Sequence, residues 1–212
     1  MQPEPDVLIA GGGLNGPLLA LALASGGVSS LVLDARPRAD LARADFDGRA
    51  YALALSSRRM LEALDLWEEI APKAEAILDI KVSDGRAGAG ASPWFLHFDH
   101  HEIEEGPMGH FVEDRFLRAA ILAGVARSPL IEHRLGTEGV GQEIAAGGVR
   151  LRLGDGSEAR GRLLVGCDGQ GSGTAARAGI GRIGWDYPQT ALVAAVAHEH
   201  PHEGVAHQFF TP

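Results

Sequence analysis

The chain has 212 residues, 45% hydrophobic and 22% charged, with 19 Lys plus Arg against 28 Asp plus Glu and a formal charge of −9. This is the composition of a globular protein able to bury a core unaided, and the acidic balance argues against binding phosphate backbones, so nucleic acid is not an expected partner. Cys167 is the single cysteine, which excludes intrachain disulfides and multi-cysteine zinc sites and suits a reducing, cytoplasmic setting.

The opening, MQPEPD, is acidic and proline-bearing, unlike a secretory signal. Val7–Ala10 is a short apolar run that stops at Gly11, Gly12 and Gly13, as a buried parallel strand entering a tight turn would. The spacing predicts a helix over 14–25, with Pro17 in its first turn and Gly26 and Gly27 ending it. The most apolar part of that segment is far shorter than the roughly 20 residues of a membrane span. Ser30–Leu33 predicts a second strand that ends at Asp34 and completes a βαβ unit.

Residues 36–49 are charged and turn-like, and 57–71 place Met60, Leu61, Leu64, Leu66, Trp67 and Ile70 at helical spacing. Short β-like runs fill 77–110, interrupted by a glycine and alanine stretch at 85–91. Asp114–Arg127 returns to helical period. Residues 140–166 read as a β-meander with turns at Gly147-Gly148 and Asp155-Gly156, and the strand 162–167 runs into Asp168-Gly169. Strands are expected at 190–197 and 205–210. The fold class is therefore α/β, a parallel Rossmann-like opening carrying inserted antiparallel sheet.

Gly11, Gly13 and Gly16 satisfy G-x-G-x-x-G between a predicted strand and a predicted helix, where glycines permit a sharp turn, close approach of a pyrophosphate and tight helix packing. Alone, the motif is equally a glycine-rich turn without a ligand. Asp34, 21 residues after Gly13, adds a carboxylate placed to accept hydrogen bonds from both ribose hydroxyls and to repel a 2′-phosphate, which favours FAD or NAD over NADP at that position. The pair does not separate FAD from NAD. Asp168 has two readings at this stage, a ligand-facing acid or the cap of a turn and helix start. Cys167, ending an apolar strand, reads as a small buried hydrophobe rather than a nucleophile. The nine histidines include His198-x-His200-x-His202, but Pro201 interrupts the alternation and no partner has diagnostic spacing, so no metal is expected.

Longer segments carry a resemblance: DVLIAGGGLNGPLLALALASGG, DGRAYALALSSRRMLEALDLWEEI, VEDRFLRAAIL, LLVGCDGQGSGTAARAGI and WDYPQTALVAAVAHEHPHEGVAHQFFTP. Together they resemble the FAD-dependent aromatic hydroxylases, flavin monooxygenases, in their ubiquinone-biosynthesis branch. The GCDG pattern and the closing segment are the most specific, and the likeness spans the N-terminal half of such proteins, with the chain expected to be truncated at its C-terminus. It implies an FAD/NAD(P)-binding domain built from 1–76 and 106–180, with 77–105 and 181–212 beginning a substrate-domain β-sheet. By position it puts Gly11, Gly13 and Gly16 at the FAD pyrophosphate, Asn15 among the cofactor-binding residues, Asp34 at the ribose, Arg49 and Arg115 toward the cofactor, and Asp168 and Gly169 at a pair serving both FAD and the nicotinamide reductant. Arg177 departs from the family spacing and receives no role.

The implied reaction is ring hydroxylation of a prenylated phenol, a ubiquinone precursor, with NADH or NADPH and dioxygen. FAD supplies the chemistry, so no catalytic side chain is named. A half-length chain is expected to be inactive alone; a non-catalytic dinucleotide-binding module and one half of an NAD-dependent dehydrogenase are the alternatives. A lipid-like substrate implies transient contact with a membrane, peripherally at its inner face, or with a biosynthetic complex. Truncated sheet edges imply self-association.

Overall fold

The computed structural model describes residues 4–41, 44–86, 88 and 90–211. The first three residues of the opening, Ala42 and Arg43 of the predicted 36–49 loop, Ala87 and Ala89 of the small-residue stretch, and Pro212, where the expected truncation falls, lie outside the described residues. In chain order the elements are β1 (Val7–Ala10), α1 (Asn15–Ser25), β2 (Ser30–Asp34), α2 (Arg38–Leu41), β3 (Ala50–Ala54), α3 (Leu55–Ala63), α4 (Trp67–Ile70), β4 (Ala74–Ile77), β5 (Asp79–Arg86) and β6 (Gly90–Asp99). They continue with β7 (Gly109–Glu113), α5 (Asp114–Arg127), β8 (Ile131–Leu135), β9 (Gly139–Ala145), β10 (Gly148–Leu153), β11 (Glu158–Gly161), β12 (Leu163–Gly166), α6 (Gly173–Arg177) and β13 (Val205–Phe210). The chain divides into two compact units, one running to Asp45 and resuming over Arg118–Ala191, the other Phe46–Leu117 together with the residues from Leu192 onward.

The first unit is built on a parallel sheet of order β12-β1-β2-β8. Central β1 pairs Val7 with Leu163 on one side and with Ser30 on the other. Its run is apolar throughout because both faces are covered. Val7 and Ile9 point to one face and pack with Val32 and Ala20 of α1, while Leu8 points to the other with Leu31 and Leu33. That second face is closed by Leu151, Leu153 and Ala159 from the antiparallel sheet β11-β10-β9. Leu8 and Ile9 are fully buried, so the strand leading into the glycine turn is anchored in the core.

The second unit holds two three-stranded sheets, β3-β7-β4 and β13-β5-β6. Leu61, Leu66, Ile70 and Val112 are buried, and His110 of β7 meets the Trp67 ring edge-on at 4.9 Å. In the other sheet β13 runs parallel to β5 and β6 antiparallel to it. Trp94, Phe95, Leu96 and Phe98 of β6 are all at least half-exposed or nearly so, at 86%, 52%, 65% and 49%. Consecutive residues of a strand point to opposite faces, so both faces of β6 carry exposed apolar surface.

Three expected elements differ. The helix predicted over 57–71 begins earlier and breaks after Ala63, because Asp65 takes a left-handed φ of 55° that short polar side chains tolerate. Residues 163–166 do not extend the meander but join β1, a pairing across more than 150 positions that local pattern does not reveal. The strand expected over 190–197 is absent: these residues are irregular, with Leu192 94% and Val193 84% exposed and no described strand pairing with them. No helix of the described residues is long and apolar enough to cross a membrane.

Candidate functional site

Each motif glycine has its own geometric reason. Gly11 sits at φ 113°, and a Cβ there would lie 2.2 Å from the carbonyl oxygen of Cys167. Gly16, in the first turn of α1, would place a Cβ 1.9 Å from the carbonyl oxygen of Gly11, so only a bare backbone lets the helix close on the strand. Gly13 is the opposite case, since a Cβ there would meet nothing within 4 Å. Its missing side chain leaves open the backbone that faces a cleft of about 420 Å³. Helix α1 starts at this loop with no capping side chain and no acidic residue in its first turn. Its unpaired N–H groups and partial positive charge therefore suit an anion. Asn15 is the exposed first residue of that helix.

Asp34 ends β2 on the same cleft and is buried. Burial raises its carboxyl pKa, but hydrogen bonds from Arg36, the Arg36 charge and the Gly12 amide together outweigh that and hold it below its ordinary value. The Gly12 N–H donates to Oδ2 at 2.8 Å. A Cβ at Gly12 would lie 2.7 Å from the Asp34 Cβ and 3.0 Å from Nε2 of His133, a buried nitrogen with no hydrogen-bond partner. Gly12 is thus constrained like Gly11 and Gly16 although the pattern counts it as free, and His133 on β8 and Arg36 two residues past the acid complete the same corner. Only Arg36 carried a sequence signal, a basic residue just beyond the strand-ending carboxylate.

Cys167, Asp168 and Gly169 line the cleft from the end of β12. Asp168 holds the turn into α6: its Oδ1 accepts from the Ser172 hydroxyl and its Oδ2 from the Thr174 N–H at 3.0 Å. Ser172 in turn caps α6 through the Ala175 N–H. Gly169 takes φ 82°, the left-handed turn that follows the acid. Burial and the neighbouring Asp168 charge push the Cys167 thiol up, so it is a neutral thiol at pH 7. The cleft therefore gathers Gly11, Gly13, Asp34, Asp168 and Gly169, with Arg36, Thr137 and Arg177 also on its wall.

Arg49 and Arg115 belong to the second unit, where Asp114 sits beside both. Arg49 pairs with Asp47 and reaches Asp114 at 3.5 Å, and the Tyr51 hydroxyl donates to Asp114 at 2.9 Å. Arg115 donates to Glu113 at 2.6 Å and lies over the Phe116 ring at 4.6 Å and the Phe46 ring at 5.7 Å. Among the histidines, His198 and His202 approach ring to ring at 5.8 Å, and His207 stacks on Phe209. Asp99, His100 and His101 each bring one ligand atom within 4.8 Å of the others.

A glycine turn on a parallel strand, an uncapped helix start and an acid at the end of the next strand define a dinucleotide-binding α/β protein. The FAD binding domain matches residues 4–210, and the chain belongs to that family. It is 42% identical over 207 residues to ubiquinone hydroxylase UbiL of Rhodospirillum rubrum, covering 98% of this chain and 47% of that protein. It is 30% identical to the mitochondrial ubiquinone biosynthesis monooxygenase COQ6 of Rattus norvegicus, over 98% of this chain and 46% of that one. The chain thus spans about half the length of these relatives. In fold it is similar to PqsL of Pseudomonas aeruginosa, with a TM-score of 0.71 at 22% identity over 88% of this chain and 48% of that one.

Proposed function

We propose that these residues form the FAD-binding part of a flavin-dependent monooxygenase that hydroxylates the aromatic ring of a prenylated phenol in ubiquinone biosynthesis. The observation that carries the FAD part is the bare Gly13 backbone at an uncapped helix start, facing the same cleft as Asp34. The substrate class rests on the 42% identity to UbiL. Gly11, Gly13 and Gly16 are assigned to the pyrophosphate, Asn15 to the cofactor site, Asp34 to the ribose, and Asp168 and Gly169 to the neighbouring wall. Arg49 and Arg115 are assigned to the cofactor on the strength of the resemblance, and the division into 1–76 with 106–180 for FAD and 77–105 with 181–212 for substrate follows it as well. When bound, the flavin supplies electron transfer from NADH or NADPH and activation of dioxygen, and the chain's residues bind and orient it. Hydroxylation is assigned to the whole protein and cofactor binding to these 212 residues. Contact with a membrane or biosynthetic complex and self-association through β6 and β13 belong to the same proposal.

The test is product analysis on the whole protein supplied with FAD, NADH or NADPH, dioxygen and a prenylated phenol. A phenol heavier by a single oxygen atom is expected. Oxidation of the nicotinamide with the phenol left unchanged, across a series of prenyl lengths, contradicts the assignment.

A further inference from the structure

The corner around Asp34 contains more than a ribose acceptor. An ionised carboxylate offers about four acceptor positions, two on each oxygen. Here Oδ1 accepts from the backbone N–H of Arg36 at 2.7 Å and from its Nε at 3.0 Å, and Oδ2 accepts from the Gly12 N–H at 2.8 Å and from Arg36 Nη2 at 2.8 Å. Every position is taken. A ribose diol needs two of them, so two donors must leave before it can bind. The two backbone donors are set by the glycine loop and by the end of β2. The guanidinium belongs to a side chain at the surface, 46% exposed while that of Asp34 is 7% exposed, and Arg36 lies on the wall of the cleft that Gly13 and Asp34 share.

We infer that Arg36 is a latch on the nucleotide site: its guanidinium occupies the acceptor positions that the ribose hydroxyls take, and it swings off Asp34 when a ribonucleotide binds. Affinity for the nucleotide is then set by an exchange, two charge-assisted bonds for two hydroxyl bonds, rather than by Asp34 alone. This rests on the reading of Asp34 as the ribose acid. A guanidinium that instead clamps the ligand's phosphates would add to affinity, so the two roles have opposite signs.

The test measures binding of FAD and of ADP, and of the 2′,3′-dideoxy analogue of ADP, to the 212-residue chain and to its Arg36→Met, Arg36→Lys and Asp34→Asn variants. Arg36→Met keeps the aliphatic stem of a half-exposed side chain, and Arg36→Lys keeps the charge without the fork. Both are expected to lower Kd for FAD and ADP about two- to fivefold, the scale of a partly exposed ion pair, and to leave the dideoxy analogue unchanged. Asp34→Asn is expected to weaken FAD and ADP. Weaker or unchanged ADP binding in Arg36→Met, with Asp34→Asn still weakened, overturns the latch and leaves the ribose reading standing. ADP and its dideoxy analogue binding alike to the unsubstituted chain and to Asp34→Asn overturns the ribose reading and the latch with it.

Discussion

The four glycines between Gly11 and Gly16 are alike in sequence and unlike in consequence. At Gly11 and Gly16 an added methyl collides with backbone oxygen, so Gly11→Ala and Gly16→Ala should destabilise the fold whether or not a ligand is present. At Gly13 there is room for one, so Gly13→Ala should leave the urea midpoint nearly unchanged, within about 0.5 kcal/mol, yet raise Kd for FAD about tenfold by obstructing the exposed backbone. Equal loss of stability and binding at all three positions would contradict this division. The motif was legible in the sequence because its spacing is local. Gly12 and His133 were not, since the demand on them comes from Asp34 and from a strand 120 positions away. Asp168 carried two readings in the sequence, a ligand-facing acid or a cap; its bonds to Ser172 and Thr174 brace the turn, and Ser172 is the cap of α6.

At the scale of elements, the parallel sheet puts a buried apolar core beneath the glycine turn. Leu8 fills the face closed by β10 and β11, and Leu8→Ala should cost about 2–5 kcal/mol in urea unfolding, the range for emptying a buried leucine position. The β1-α1-β2 unit was readable because buried parallel strands are apolar throughout and the helix carries its own stop signals. Edge strand β8 was not, because only Ile131 and Leu135 of its five residues are apolar and its parallel pairing with β2 spans about 100 positions of sequence. Histidines on two of the strands also carry a proton-dependent load. Burial, chiefly, pushes the pKa of His110 on β7 and His133 on β8 below the ordinary 6.5. As pH falls through that value the unfolded chain takes up protons that the folded chain refuses, so the folded state loses stability. Urea midpoints should therefore decline from about pH 8 to about pH 5, and His110→Gln and His133→Gln should each flatten part of the decline. A flat profile over that window would mean that both rings are protonated as readily folded as unfolded.

For the molecule as a whole, the sheet β13-β5-β6 leaves apolar surface uncovered. Trp94, Leu96, Phe209 and Phe210 expose apolar area on a sheet whose outer strands have free edges among the described residues. The proposed self-association predicts a concentration-dependent mass in sedimentation, reduced by Trp94→Ser with Leu96→Ser; a monomer at all concentrations would exclude it. On the reading proposed above, the 212 residues bind FAD through the corner of Gly13 and Asp34. The most direct measurement is a visible-absorption titration of the purified chain with FAD, repeated on Asp34→Ala, with folding of both checked by circular dichroism. Saturable perturbation of the flavin bands, abolished by Asp34→Ala, is the expected result. Unperturbed bands with a folded chain, or equal binding by the folded Asp34→Ala variant, would contradict it.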